Sequence, residues 1–385
     1  MRIADFNFSQ MKLKENIDYT IRNYSYSEVH NKTLKKGDLL IEKSGGGEKT
    51  PVGRTVVFRL NQKCLFANFM DCIRLKNEYM FEYAKYCFFA LYKNGVTNLY
   101  FNQTTGLQNL NIQKYFREVK LPFPPIDEQN KIAEYLDKKC GEINAITAKI
   151  QEQIATLEEY KKSVISEAVT KGLNPNVPMK DSGIEWIGKI PANWDVHPIY
   201  SYFTERKHKN SLGREDNLLS LSYGKIIRKD INTNGGLLPE SFNTYNIIEA
   251  GDIIIRPTDL QNDKRSLRTA LSHEHGIITS AYIALRPNKG VNSRYFHYLL
   301  HTYDVQKVFY NMGNGVRQGL NYSEFAKLMV FAPSPTEQNE IADYFDSQCS
   351  QVEEAIADKQ KQIETLEEYK KTIIYEYVTG KKEVA

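Results

Sequence analysis

Three kinds of stretch in this 385-residue chain carry residue types that could do chemistry. The first is "GGGEKT" at Gly45, where glycines before a Lys-Thr pair invite a phosphate-cradling reading. The spacing fails, because a P-loop needs glycine directly before the lysine and another five positions earlier, and Glu48 and Lys43 stand there instead. No helical pattern follows. The second is "HEH" at His273 to His275, which on a strand would put two imidazoles on one face. Further ligands with metal-binding spacing are not evident, so a surface or turn pair is the expected reading. G-x-S-x-G, H-E-x-x-H and the Asn-Pro-Pro-aromatic signature of amino-methylating DNA methyltransferases are all missing, and no catalytic centre is expected.

The third kind is commoner: cations interleaved with amides, hydroxyls and aromatics in expected loops. These are "EKSGGGEKTPVGR" at Glu42, "FNQTTGLQN" at Phe101, "RKHKN" at Arg206, "SYGKIIRK" at Ser222, "RPTDLQNDKRSLR" at Arg256 and "NGVRQGLN" at Asn314. Lys and Arg neutralise phosphates, while Arg, Gln and Asn read purine edges through paired hydrogen bonds. The candidate DNA contacts are Lys43, Arg54, Thr104 and Thr105 in the first half. In the second they are Arg206, Lys207, Lys209, Lys225, Arg256, Lys264, Arg265, Arg268, Arg317 and Gln318. For any single residue a solvated surface charge is the plainer reading; the clustering carries the assignment.

Charge follows the same segmentation. Residues 1–120 hold 19 Lys+Arg against 11 Asp+Glu, and residues 191–330 hold 17 against 13. Between and after them, residues 121–190 hold 9 against 11 and residues 331–385 hold 6 against 12. The chain thus alternates basic, acidic, basic, acidic. Its length exceeds one ordinary domain, and 41% hydrophobic residues suffice for two cores. Five cysteines without C-x-x-C spacing argue against a disulfide framework and fit a reducing cytoplasm. The N-terminal stretch lacks a signal-peptide core, and "YCFFALY" near Tyr86 is too short to span a bilayer, so neither export nor membrane insertion is expected.

The acidic segments are copies of one another. Sliding the chain by 209 positions superimposes "DEQNKIAEYLD" on "TEQNEIADYFD" and "TLEEYKK" at Thr156 on "TLEEYKK" at Thr365, with about half of some 44 positions identical. Each copy reads as one long helix. Pro122, Pro124 and Pro125 precede the first and Pro333 and Pro335 the second; Asp127 and Thr336 are the expected N-caps, and Gly172 and Gly380 the left-handed C-terminal caps. Leu136, Ile143, Ile150, Leu157 and Val164 recur every seven residues, flanked by Cys140, Thr147, Ile154, Lys161 and Ala168. The second copy repeats this with Phe345, Val352, Lys359, Leu366 and Ile373, flanked by Cys349, Ile356, Ile363, Lys370 and Tyr377. Such a seam needs a partner. Each helix could pack only on its neighbouring domain; mutual packing of the two copies is favoured. Roughly 43 residues at about 1.5 Å each give a rod near 65 Å, the length of a spacer. Laid antiparallel, the copies relate the halves by an approximate two-fold axis and put the basic segments at opposite ends.

The basic segments share a weaker likeness. "KKGDLLIEKSG" at Lys35 matches "EAGDIIIRPTD" at Glu249 as a Gly-Asp turn feeding an apolar, β-branched strand, and "CLFANFMDCIRL" at Cys64 parallels "GIITSAYIALRP" at Gly276, each followed by an amphipathic helix.

With "LPFPPIDEQNKIAEYLD", its echo "FAPSPTEQNEIADYFD", the doubled "TLEEYKK" and "DSGIEWIGKIPANWDV" at Asp181, nearly the whole chain resembles the DNA-specificity (S) subunits of type I restriction-modification enzymes. The resemblance implies an α+β chain: two mixed α/β target-recognition domains separated by two long antiparallel helices forming a coiled coil, with a pseudo-two-fold internal repeat. The domains expected are 1–120 (first recognition domain), 121–172 (first spacer helix), 173–190 (linker), 191–330 (second recognition domain) and 331–385 (second spacer helix). It further implies a non-catalytic reader of a split double-stranded DNA target, docked by two methyltransferase subunits that carry S-adenosylmethionine and by endonuclease subunits that use ATP and Mg, with no cofactor on this chain itself. One departure stands out. Only 36 residues precede the Gly37-Asp38 turn, and the first half has no "WIGKIPANW", which leaves a compact variant and a rearranged or truncated product both open. The rival from another class is a coiled-coil scaffold joining two protein-binding domains; a self-contained nuclease or NTPase is the third.

Overall fold

The computed structural model describes residues 1–76, 81–104, 106–232, 239, 241–258, 260, 267–312 and 319–384. Its α-helices among these are α1 (Tyr26–Lys32), α2 (Phe81–Lys93), α3 (Ile112–Glu118), α4 (Ile126–Lys171), α5 (Ser293–Val305), α6 (Tyr322–Phe325) and α7 (Pro335–Val378). α4 and α7 are the two sequence copies, 46 and 44 residues long. Both start one residue before the expected caps. Pro335 occupies the first helical position, where a missing N–H is harmless, and the Ser334 hydroxyl accepts from the Glu337 N–H at 3.3 Å. Gly172 and Gly380 end the helices in the left-handed region, at φ of 75° and 72°. None of the described helices is long and apolar enough to cross a membrane.

The chain forms two compact bodies, Met1–Ile154 with Ala357–Ala385 and Ala155–Ile356. The division passes through the middle of both long helices, so each body holds one globular part and half of each helix.

In the first body, strand Leu39–Glu42 lies between Thr55–Val57 and Met70–Ile73, antiparallel to both. All four of its residues are buried. A continuous apolar run is what a strand covered on both faces requires. On one face Leu40, Val56 and Met70 pack with Phe6, Leu13 and Phe58; on the other, Leu39, Ile41 and Val57 meet Ala84 and Phe88 of α2 and Tyr115 of α3. A second sheet orders Ser44–Gly46, Leu107–Leu110 and Phe101–Thr104.

The second body repeats this plan. Ile253–Ile255 corresponds to Leu39–Glu42, and it too is flanked by the strands that follow it, Thr269–Leu271 and Ile283–Pro287. Phe203–Glu205 adds a fourth strand beside Ile283–Pro287; it comes from the extra stretch ahead of Gly251. The Gly-Asp turns match closely. Gly37 and Gly251 take φ of 93° and 94°, and Asp38 and Asp252 accept from the N–H groups of Lys35 and Glu249 at 2.7 and 2.9 Å. Trp194, from "IPANW", is fully buried, stacks on Phe331 at 5.7 Å and donates from its indole to Glu337 of α7 at 3.1 Å.

Within each body α4 and α7 run antiparallel. In the first, Tyr135 packs on Tyr377, Asn144 accepts from Lys370 at 2.9 Å and Gln153 from Lys359 at 2.7 Å, so the α7 number falls as the α4 number rises. In the second, Lys161 reaches Glu353 at 2.5 Å, while Ile165, Ala168 and Val169 share a core with Ile341, Ala342 and Phe345. The seam residues Leu136, Cys140, Ile143, Ile150, Phe345, Val352, Ile363 and Ile373 are buried as the heptads require. Both packing readings hold at once, because Leu136, Cys140 and Ile143 share one cluster with Ile373, Ile374 and Val378 of the other helix and with Tyr83, Tyr86 and Cys87 of α2. That double duty widens the apolar stripe near the globular parts and buries Ile132, Ile374 and Val378 outside the heptad rows.

Candidate nucleic-acid interface

Loops of the first body converge on its second sheet. "GGGEKT" is a tight hairpin in which Gly47 and Thr50 exchange both backbone hydrogen bonds at 3.1 Å, leaving Glu48 and Lys49 exposed at the tip. A Cβ on Gly46 would come within 2.6 Å of the Val52 nitrogen, which explains the glycine without any phosphate. Ser44 donates to Asn109 at 2.6 Å across the sheet. Thr104 ends strand Phe101–Thr104, whose turn continues through Gly106; the Thr104 side chain and all of Thr105 lie outside the described residues.

Two first-half candidates are engaged in ion pairs. Arg54 grips Glu42 through two hydrogen bonds, at 2.7 and 2.8 Å, and lies 4.1 Å above the Phe8 ring. Glu42 is almost wholly buried, so this guanidinium is a brace for a buried carboxylate. Lys43 is half-exposed and sits 3.6 Å from Asp71. The exposed Lys49 at the hairpin tip was not among the candidates; its signal was the same glycine-rich stretch, read as a turn instead of a cradle.

In the second body the candidates separate into two groups. Arg206 pairs with the fully buried Asp252. Burial pushes the Asp252 carboxyl above its ordinary range, against the pull of the Arg206 and Glu249 hydrogen bonds. Arg268 is 0% exposed, donating to the Thr258 carbonyl at 2.6 Å while its backbone N–H reaches Asp304. An arginine with no accessible surface has none to offer a phosphate, so Arg268 is corrected from a DNA contact to an interior tie, and Arg206, whose side chain is only 16% exposed, to a brace for Asp252. Arg256 is partly buried beside it, with its N–H on the Arg268 carbonyl at 2.8 Å.

Lys207, Lys209 and Lys225 form the outward group. Lys207 is 71% exposed beside Glu205, Lys209 donates to the Thr244 carbonyl at 2.9 Å, and Lys225 is 73% exposed and 3.8 Å from Glu353. Lys225 follows the turn of a two-residue hairpin joining Leu219–Ser222 to Lys225–Arg228. Tyr223 and Gly224 both take positive φ, 47° and 77°, the geometry such a turn needs. This presents Tyr223, 78% exposed, at the tip, and Arg228 farther along the ribbon, 2.6 Å from Glu274. Neither was picked from sequence, although "SYGKIIRK" contains both. Lys264, Arg265, Arg317 and Gln318 lie outside the described residues.

The histidines do other work. His275 bridges Glu249 at 2.9 Å and Glu215 at 2.6 Å, and these hydrogen bonds, the Glu249 one foremost, raise its pKa. His297 and His301 on α5 are held neutral, lowered to about 3 and about 4 chiefly by burial. Among the described residues no group of three or more His, Cys, Asp or Glu is placed to hold a metal ion.

Against known proteins, the family model described as "Type I restriction modification DNA specificity domain" matches residues 6–156, spanning the first globular part and α4 as far as Thr156. This stretch of the chain is similar to the type I DNA-specificity domain. The MjaX type I specificity subunit of Methanocaldococcus jannaschii is 24% identical over 275 residues, which cover 70% of this chain and 60% of that protein. The MjaVIII specificity subunit of the same organism is 24% identical over 342 residues, 84% of this chain and 75% of that protein. A chain from a structure on complex assembly and conformational transition of the type I R-M system shares the fold, with a TM-score of 0.63 at 14% identity over 90% of this chain and 82% of that one.

Proposed function

We propose that this chain is the sequence-reading subunit of a type I restriction-modification complex, each body reading one half of a bipartite duplex target. One observation carries the reading: the bodies share a sheet, a helix and a stretch of coil, yet differ in the hairpins and loops that bear exposed cations and aromatics. Common scaffolds with unlike loops suit one operation on two unlike half-sites. A β-ribbon such as that carrying Tyr223, Lys225 and Arg228 fits a major groove, while Lys49, Lys207 and Lys209 supply phosphate contacts. Thr104, Thr105, Lys264, Arg265, Arg317 and Gln318 stay assigned as DNA contacts of their respective bodies. Two methyltransferase subunits holding S-adenosylmethionine, and endonuclease subunits using ATP and Mg, supply the chemistry in the cytoplasm; this chain binds none of those cofactors.

The test is to map adenine methylation in a host with and without the gene, alongside its methyltransferase partner. A split motif that appears only with the gene supports the reading. Unchanged methylation, together with duplex binding that does not weaken as salt rises, overturns it in favour of the protein-joining scaffold, since a reader that neutralises several phosphates loses affinity steeply with salt.

A further inference from the structure

Each body fastens its globular helix to the coil through the same carboxylate. In the first, Asp137 of α4 accepts from Lys85 Nζ at 2.5 Å and from the Tyr86 hydroxyl at 2.6 Å, both on α2. In the second, Asp346 of α7 stands 209 positions later and accepts from Arg294 and from the Tyr298 hydroxyl, each at 2.6 Å, both on α5. The surrounding frame is doubled as well. Tyr83 and Tyr295, one helical turn before those tyrosines, donate to the carbonyls of Pro122 and Phe331 at 3.0 and 3.2 Å. Gln129 and Gln338 donate to the carbonyls of Pro124 and Pro333 at 2.7 and 2.9 Å. These acceptors again lie 209 apart.

The cation is what differs. With the tyrosines aligned, Lys85 corresponds to His297, and Arg294 to Glu82. Each half has its own positive group in a different helical position, yet both reach the same carboxylate. Packing alone does not require this, because both aspartates are about half exposed and water could solvate them. A charge-assisted hydrogen bond with a second donor at fixed angle does what packing cannot: it sets how the globular helix is turned and where it sits along the coil.

From this we infer that Asp137 and Asp346 are positioning residues, each locking one recognition domain onto its stretch of coil so that its base-reading loops are held at a set distance from the other half-site. The inference rests on the proposed function. Its test uses the full chain with Asp137→Ala, Asp346→Ala or both, co-expressed with the methyltransferase partner, and reads the methylated motif. Both half-sequences should persist, and sites whose spacer is one base pair shorter or longer than the wild-type spacer should become methylated where none was before. Retained methylation confined to the wild-type spacer overturns the inference, because a purely structural role would lower activity without relaxing spacing. Tyr86→Phe and Tyr298→Phe, each removing one hydroxyl, carry the same test if the alanine chains do not fold.

If the wild-type chain directs no split motif, the proposed function has failed and the lock is judged on purified chain alone. Spin labels replacing Lys229 on the globular part and Glu354 on α7, both exposed residues of the second body, should give a broader distance distribution in Asp346→Ala than in wild type. An unchanged width overturns the lock.

Discussion

Arg54 separates a DNA contact from a structural brace, and the two predict opposite behaviour. Arg54→Ala removes both hydrogen bonds to Glu42, whose side chain is 3% exposed, and the stacking over Phe8. Removing one partner of a buried pair costs about 3–5 kcal/mol because the remaining charge is stranded. The Arg54 side chain is 23% exposed, so water reaches part of the vacated space and about 2–3 kcal/mol is the better expectation here. In a body of this size each kcal/mol moves the midpoint by about 2–4 °C, giving a fall of about 4–12 °C in the transition of the first body. Arg54→Met with Glu42→Leu removes the charge together with its partner and should recover most of that loss. Calorimetry of the three chains measures the shifts, and duplex binding across a salt series measures the phosphate count. An Arg54→Ala chain that melts with wild type while its log-log salt slope falls by about 0.9, the share of one phosphate contact, would show that the arginine faces DNA and that the pairing with Glu42 is dispensable.

Two further outcomes follow from groups off the candidate surface. Lys370 interrupts the coil seam, fully buried, donating to Asn144 and to the Ser9 carbonyl, and burial lowers its pKa. A lysine with a folded pKa below its unfolded 10.5 binds fewer protons when folded, so wild-type stability rises as pH climbs between those values; Lys370→Leu should abolish that rise and stabilise the first body by about 1 kcal/mol at neutral pH, read by denaturant melts at pH 7 and pH 10. His275 behaves oppositely: its folded pKa is raised above 6.5, so its bridge contributes fully below 6.5 and is lost as pH rises through the folded value. His275→Gln should therefore flatten the decline in second-body stability over that window, and a slope equal to wild type would rule the bridge out.

Periodic features were the legible ones. The 209-residue repeat, the heptad rows and the Gly-Asp turns are patterns in which backbone geometry and burial dictate residue type at fixed intervals, and the structure places them as read. The interface was less legible, for a physical reason. Arginine serves equally to meet a phosphate and to neutralise a buried carboxylate, and the choice depends on Glu42, Asp252 and Asp304, which approach from 12 to 46 positions away in sequence. No local pattern distinguishes Arg268 in the interior from Lys225 at a ribbon turn. Turn chemistry was the signal that could have helped. "GGGEKT" and "SYGK" both mark tight two-residue turns, and such turns point their tips outward, which favours Lys49, Tyr223 and Lys225 over the arginines beside strands.

The doubled frame also explains why the halves can diverge so far. Asp137 and Asp346, with their tyrosines, and the Gln129 and Gln338 ties are built from coil residues, the prolines just ahead of them and the first two turns of α2 and α5. None of these positions lies in the hairpins that bear the exposed cations. Changes in those hairpins therefore leave these particular ties untouched, and the extra strand Phe203–Glu205 joins the edge of the second body's sheet without disturbing the three-strand order shared with the first body. A scaffold of this kind separates where a domain is held from what its loops touch. The cations show the separation at work, since Lys85 and Arg294 reach the carboxylate from different helical positions while the carboxylate and tyrosine stay in register.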